Sequence, residues 1–326
     1  MPAHTPNAEP QTIVFLDRDT IPSHIQIAKP NFEHQWTEYP TTDISQVVER
    51  LADATIAITN KVVLDATILR QLPLLKMVAI SATGTNNVDL DYCRQHGIVV
   101  SNIQGYAVDS VPEHAIAMMF ALRRNLMGYH QDIRNGVWQE SGQFCFFTHP
   151  IGDIQGATLG IIGSGGLGQA MANLGRALGM SVMFAERKGA TAYRDGYHRF
   201  EDVLAQADVV SLHCPLSEHT ANLIAEPELA LMKSSALLIN TARGGLVEEQ
   251  ALVDALKAGS IGGAGVDVFT EEPAPAHNPL IANAYLPNLL LTPHVAWGSD
   301  SAIQGLADRL IDNINAYAAG TPKNQV

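Results

Sequence analysis

The chain has 326 residues, room for two domains of ordinary size, and 46% of them are hydrophobic, so a large core can be buried. Lys and Arg number 20 against 33 Asp and Glu, a formal net charge of −13, which argues against nucleic acid or an anionic membrane as a partner and asks any anionic ligand to find a local positive site. Cys93, Cys145 and Cys214 are far apart with no C-x-x-C, and the 12 histidines form no H-E-x-x-H, so neither a disulfide scaffold nor a metal site is expected and a reducing compartment is.

The opening stretch Met1–Gln11 is polar, with Pro2, Pro6 and Pro10, and lacks the basic-then-apolar pattern of a signal peptide. No apolar run reaches the roughly 18 residues that a membrane span needs, and a cytoplasmic protein is the default. Thr12 to Leu16 reads as a strand, Val47 to Leu51 as helical, Thr55 to Thr59 as a strand and Leu64 to Leu72 as a helix stopped by Pro73. Met77 to Ile80 and Ile98 to Val100 are further strands, with a helix at Leu90 to His96 between them. This alternation predicts a parallel sheet within the first hundred residues or so. The small, polar loop Ser81 to Asp89 follows one of these strands, where an open parallel sheet binds ligands, and its backbone N–H groups suit a carboxylate.

Ser110 is positioned to cap a long helix, with Pro112 and Glu113 in its first turn. His114 to Leu126 is apolar on most faces, which predicts burial between domains or against another subunit. Gly136 to Pro150 carries Trp138, Phe144, Phe146 and Phe147 without periodicity and reads as an interface arm. A second β/α series follows, with strands at Leu159–Ile162, Ser181–Phe184, Val209–Leu212, Ala236–Ile239, Gly265–Val268 and Leu289–Leu291. Six strands with intervening helices match a doubly wound dinucleotide domain. The helical tail Ser299 to Ala318 is too short to stand alone and is expected to pack on the N-terminal domain.

The chemistry is concentrated in a few loops. Gly163, Gly165 and Gly168 fill a G-x-G-x-x-G spacing between a strand and the helix Gln169 to Leu178. The first glycine permits the tight turn, the second lets backbone approach a pyrophosphate, and the third lets helix and strand pack closely. The helix N-terminus offers unpaired N–H groups and a positive dipole end to the phosphates. Glu186 ends the next strand, about 20 residues on, where a carboxylate can bond the adenine ribose hydroxyls. Arg243, Glu272 and His294 follow three successive late strands and so fall at one edge of the sheet. Together they suit 2-keto-acid reduction. The guanidinium grips a carboxylate and polarises the keto oxygen, the imidazolium supplies a proton, and the carboxylate favours and orients the charged imidazole.

Over nearly its whole length the chain resembles the D-isomer-specific 2-hydroxyacid dehydrogenases. The matching pieces are Gly163 to Gly168, His213-Cys214-Pro215-Leu216 with Thr220, Asn240 to Gly245, Asp267-Val268-Phe269 with Glu271-Glu272-Pro273, and Thr292-Pro293-His294. Within that family it is most similar to the glycerate dehydrogenase (hydroxypyruvate reductase) branch, through Trp138, Phe144-Cys145, Ala185 to Lys188 and Pro293 to Trp297. The resemblance implies an α/β protein of two Rossmann-like, doubly wound parallel-sheet domains with the active site in the cleft between them. The substrate-binding domain would comprise residues 1–106 and 296–326, and the cofactor domain 107–295, through which the family dimerises.

The resemblance also implies roles. Arg243 binds substrate, Glu272 is the carboxylate partner and His294 the acid/base. Asp267 holds the nicotinamide carboxamide, Gly166 and Leu167 meet the pyrophosphate, and Cys214, Pro215 and Thr220 line the cofactor groove. Thr241 and Ala242 lie near the nicotinamide, and Ala82, Thr83 and Gly84 hold the substrate carboxylate through backbone N–H groups. One departure bears on the cofactor. The ribose carboxylate is usually Asp in the family, and here it is Glu186 followed by Arg187 and Lys188. A glutamate repels a 2′-phosphate and two cations attract one; NAD is favoured and NADP stays open.

The expected activity is hydride transfer between NAD(H) and a small D-2-hydroxy acid, with hydroxypyruvate to D-glycerate first and glyoxylate or another 2-keto acid as alternatives. A non-enzymatic, dinucleotide-sensing co-repressor-like protein is the alternative from another class; the presence of Arg243, Glu272 and His294 together favours the enzyme. A phosphoglycerate-oxidising relative often carries an added regulatory domain, and only a short tail follows His294. A formate-oxidising relative would be expected to carry glutamine in place of Glu272.

Overall fold

The computed structural model describes residues 10–326; the opening stretch read above as no signal peptide lies, for residues 1–9, outside them. The chain divides into two compact units. The first ends at Tyr106 and takes in Ser299–Val326, and the second is Ala107–Gly298.

The first unit holds a parallel sheet of β1 (Gln11–Phe15), β2 (His34–Glu38), β3 (Ile56–Thr59), β4 (Met77–Ile80) and β5 (Val99–Ser101), in the order β2-β1-β3-β4-β5. β3 and β4 are buried along their whole length. That is why they read as unbroken apolar runs rather than alternating ones: both faces of a parallel sheet are covered. β2 was not expected. It is an edge strand of mostly exposed, polar residues, so neither alternation nor a continuous run marked it. The expected helix at Leu64 to Leu72 shortens to Ala66–Leu69, with Asp65 accepting from the N–H of Ile68. The C-terminal helix Asp300–Ala318 packs against β4, and Asn313 donates to the Asn102 carbonyl. Gln325 then bridges Ser101 antiparallel beside β5. The tail thus completes the first unit, as its length suggested.

The second unit holds β6 (Thr158–Ile162), β7 (Ser181–Ala185), β8 (Tyr197–His198), β9 (Val209–Leu212), β10 (Leu237–Asn240), β11 (Gly263–Val266) and β12 (Leu289–Leu291). All seven are parallel, in the order β12-β11-β10-β9-β6-β7-β8. The sequence predicted six; the seventh, β8, is a two-residue edge strand too short to leave a pattern. The chain winds outward from β6 through β7 and β8, then returns to the other side of β6 at β9. The strand order therefore reverses between β6 and β9, and the crevice at their carboxyl ends is where a doubly wound sheet binds its ligand.

Two expectations about the helix Ser110–Arg123 are corrected. Its N-cap is Asp109, not Ser110; Ser110 is already helical and its hydroxyl donates to the Ala296 carbonyl. Its apolar face is covered inside its own unit: Ala115, Met118, Met119 and Leu122 pack with Leu159, Ile161, Leu237 and Ile239 from the sheet. The segment expected to be irregular contains a short helix, Val137–Ser141. Phe144, Phe147 and Trp138 are exposed there, with Leu126, Met127 and Ile133 on the preceding helix Leu126–Arg134. No helix among the described residues is long and apolar enough to cross a membrane.

Candidate active site

The glycine turn sits at the switch point. Gly163 leaves β6 at φ +102°, and a Cβ there would lie 2.5 Å from the backbone carbonyl of His213, the residue that leaves β9. The two strand ends touch backbone to backbone, which only glycine permits. A Cβ on Gly168 would lie 1.9 Å from the Gly163 carbonyl oxygen, so the helix Gly166–Ala177 packs against the turn with no side chain between. Gly165 differs. A Cβ there meets no atom within 4 Å, so its smallness serves no contact within the protein. The N–H groups of Gly166, Leu167 and Gly168 find no acceptor among the described residues; the first bond of this helix is donated by Gln169 to Gly165. Open space above unpaired donors at a helix N-terminus is what a pyrophosphate needs.

Other loops line the same edge of the sheet. After β9, Cys214 is partly buried, and burial raises its thiol above the ordinary value. Pro215 and Thr220 close one turn, the Thr220 hydroxyl donating to the Pro215 carbonyl at 2.8 Å. His213 is buried, its Nε2 2.9 Å from Ser211 Oγ and its Nδ1 without a partner among the described residues, and burial pushes its pKa down to about 4, so the ring is neutral. After β10, Thr241 is buried and its hydroxyl has no partner among the described residues, an orphaned polar atom beside the crevice that suits a bound ligand. Ala242 is buried next to it. Asn240 ties this turn from both sides, accepting from the Ala242 N–H and donating to the Arg243 carbonyl at 2.9 Å. The half-buried Arg243 guanidinium spends one N–H on the Ala242 carbonyl.

At the ends of β11 and β12 a histidine meets a carboxylate. His294 Nδ1 lies 2.7 Å from Glu272 Oε2, and Glu272 Oε1 accepts from the Phe269 N–H at 2.9 Å. His294 has φ +55°, a left-handed backbone that costs a non-glycine residue on the order of 1 kcal/mol. Asp267 holds that geometry. It is fully buried, its carbonyl accepts from the His294 N–H, and its carboxylate accepts from the Thr292 hydroxyl and the Val295 and Ala296 N–H groups. A carboxylate has about four acceptor directions, so one remains for a ligand. Trp297 Nε1 donates to the His294 carbonyl, and the ring Nε2 is left facing no partner among the described residues. These bonds also explain why Ala296 to Gly298 belong to the second unit.

Two residues near these loops were not singled out from sequence. His114, on the long helix, places Nε2 3.1 Å from Thr292 Oγ1 and 3.9 Å from Asp267 Oδ1. Arg194, in the loop after β7, makes an ion pair with Glu186 at 2.7 Å. Neither carries a spacing signal; each is recognised only once the loops are folded. Of the two cations beside Glu186, Lys188 is paired with Glu228 at 2.8 Å and Arg187 is exposed without an ion-pair partner among the described residues.

In the first unit, the loop after β4 holds Ala82, Thr83 and Gly84. The Ala82 carbonyl accepts from Ile103, the Thr83 hydroxyl donates to the Ile103 carbonyl, and Asn102 Nδ2 donates to the Thr83 carbonyl. Every anchor uses a carbonyl or the hydroxyl. The three N–H groups donate to nothing among the described residues and form a small concentration of backbone donors.

Residues 116–296 match the model of the family described as D-isomer specific 2-hydroxyacid dehydrogenase, NAD binding domain. The chain belongs to that family. It is 49% identical to the glycerate dehydrogenase of Methylorubrum extorquens, covering 96% of this chain and 98% of the relative. It is 34% identical to the hydroxypyruvate reductase of Blautia hydrogenotrophica, over 87% and 88% of the two chains. Among solved structures it resembles the D-lactate dehydrogenase of Aquifex aeolicus complexed with NAD and lactic acid, with a TM-score of 0.78, 26% identity and coverage of 95% and 96%. The protein is therefore an oxidoreductase acting on the CH–OH group of 2-hydroxy acids, with NAD as its cofactor. The open Gly165, the unbonded N–H groups after it and the orphaned Thr241 hydroxyl fit that cofactor.

Proposed function

We propose that the protein interconverts hydroxypyruvate and D-glycerate, and that Arg243, Glu272 and His294 carry the chemistry. The observation that bears most weight is the Glu272–His294 pair: Nδ1 is bound to a carboxylate and Nε2 has no partner among the described residues, the arrangement of an imidazole set to exchange one proton with a ligand. NADH, when bound, supplies the hydride. The Arg243 guanidinium grips the substrate carboxylate and draws electron density from the keto oxygen. His294 Nε2 gives its proton to that oxygen as the carbonyl carbon is reduced, and takes it back in the oxidative direction. Glu272 keeps Nε2 aimed at the substrate and offsets the imidazolium charge. In the first unit, the N–H groups of Ala82, Thr83 and Gly84, which donate to nothing among the described residues, suit a carboxylate.

Gly163, Gly165, Gly166, Leu167 and Gly168 cradle the pyrophosphate in this reading. Glu186 with Arg187 and Lys188 lies at the adenine ribose. Cys214, Pro215 and Thr220 line the groove, while Thr241, Ala242 and Asp267 lie at the nicotinamide. Hydroxypyruvate is preferred because the relatives named glycerate dehydrogenase and hydroxypyruvate reductase resemble the chain over most of their length. A panel of hydroxypyruvate, glyoxylate, pyruvate and phosphohydroxypyruvate with NADH tests it. The highest kcat/KM belongs to hydroxypyruvate if the proposal holds, and a clear preference for another keto acid overturns it. We also propose a cytoplasmic homodimer. Its support is the exposed apolar set Leu126, Met127, Trp138, Phe144 and Phe147 on the cofactor unit, and three cysteines that are all free.

A further inference from the structure

The carboxylate expected to discriminate between dinucleotides is already occupied. Glu186 Oε1 accepts from the Arg187 N–H at 2.9 Å and from one terminal nitrogen of Arg194 at 2.8 Å. Its Oε2 accepts from Arg194 Nε at 2.7 Å and from the Arg194 backbone N–H at 3.2 Å. These four donors use the acceptor directions a carboxylate has, and three of them come from Arg194. The guanidinium fork, first, and the Arg187 N–H, second, hold the Glu186 carboxyl down at about 2. Glu186 is 6% exposed, and the Arg194 side chain paired with it is 54% exposed.

Arg194 is held in place by its surroundings. Its guanidinium lies 3.8 Å over the Tyr197 ring, and Tyr197 donates its hydroxyl to Ser164 Oγ in the glycine turn at 2.5 Å. Tyr197 begins β8, which pairs with β7, and the Glu186 N–H donates to the His198 carbonyl. The loop from Arg187 to Gly196 is thus folded back over the end of β7. Beside it is a cavity of about 130 Å³ lined by Arg187, Tyr193, Arg199 and Glu201. Glu201 pairs with Arg199, which leaves the Arg187 charge uncancelled. In a chain with a net charge of −13, this is a local positive site.

We propose that Arg194, rather than Glu186 alone, sets the dinucleotide choice: by neutralising Glu186 and presenting guanidinium N–H groups with Arg187, it lets the ribose pocket accept a 2′-phosphate, so that NADPH binds as well as NADH. A bare carboxylate at this position repels a phosphate and bonds a diol; a carboxylate saturated by arginine does neither strongly. The proposal rests on the dinucleotide reading of the glycine turn.

Equilibrium binding of NADH and NADPH by nucleotide fluorescence, with no keto acid present, tests it in the wild type, Arg194→Ala and Glu186→Gln. In the wild type the two dissociation constants lie within about tenfold of each other. Arg194→Ala weakens NADPH by at least about tenfold while NADH is unchanged or tighter, because the carboxylate is freed for the diol. Glu186→Gln, which keeps the arginine and removes the anion, tightens NADPH relative to NADH. NADPH binding falls more steeply with salt than NADH binding, as added charge pairing requires. Loss of both dinucleotides by the same factor in Arg194→Ala, or a wild type that binds NADH and not NADPH, overturns the proposal. A wild type that binds neither overturns the dinucleotide reading itself.

Discussion

Replacing Gly165 by alanine separates what the glycine turn does for the fold from what it does for the ligand. The backbone of Gly165 lies at φ −68°, ψ −171°, which any L-residue adopts, and the added methyl meets no atom within 4 Å. Folding stability should therefore change little. The entropy removed from the unfolded chain favours alanine by roughly 0.4–1 kcal/mol, and the poorer N-cap disfavours it by a similar amount, roughly 0.5–1 kcal/mol. On the proposed reading binding behaves differently, because the methyl would fill the space between a pyrophosphate and the N–H groups of Gly166, Leu167 and Gly168, which find no acceptor among the described residues. Displacing the phosphate from one or two charge-assisted bonds costs about 1.5–3 kcal/mol, or roughly a 10- to 150-fold rise in the NADH dissociation constant. Urea unfolding and NADH fluorescence titration on the same preparation read the two effects. Gly168→Ala is the contrast: its Cβ would sit 1.9 Å from the Gly163 oxygen, so it should lose stability by about 1–3 kcal/mol before binding is considered. If Gly165→Ala bound NADH like the wild type, the pyrophosphate would not lie at this helix N-terminus.

Arg243→Ala and His294→Ala should each lower kcat/KM for hydroxypyruvate by at least about 100-fold while the NADH dissociation constant moves less than about threefold; near-normal turnover in either removes it from the mechanism. Glu272→Gln leaves the His294 ring without its carboxylate partner and should lower kcat/KM for hydroxypyruvate by at least about 10-fold while the NADH dissociation constant is unchanged. His213 gives a stability test. Its folded pKa, about 4, lies below the ordinary 6.5, so between those values the unfolded chain binds more protons and stability falls as pH is lowered. From pH 8 to pH 5 this amounts to about 2 kcal/mol, which His213→Asn should abolish in urea midpoints taken at the two pH values.

The expectations were strongest where one residue type answers one local demand. Gly163 and Gly168 were legible because a tight turn and close packing each exclude a side chain, and β3, β4, β6, β9 and β10 because a strand buried on both faces must be apolar throughout. Arg243, Glu272 and His294 were placed by their position after successive strands. The edge strands β2 and β8 left no pattern, since an edge is half solvated and tolerates polar residues. The cap of the long helix was misassigned because Asp109 and Ser110 are both good caps, and only the bond from Ser110 to Ala296 shows which is helical.

The sequence by itself thus determined the two parallel-sheet units, the dinucleotide turn and the family of chemistry, because these rest on periodicity and on spacing along one strand–turn–helix unit. The tertiary structure decided what each charged group has as its partner. Asp267 stands 27 positions before His294 and holds its loop; Glu272 meets the imidazole across 22 positions; Arg194 folds back eight positions to saturate Glu186. A carboxylate's availability depends on which donors reach its four lone-pair directions, and that is fixed by loop geometry, to which local sequence preferences are blind.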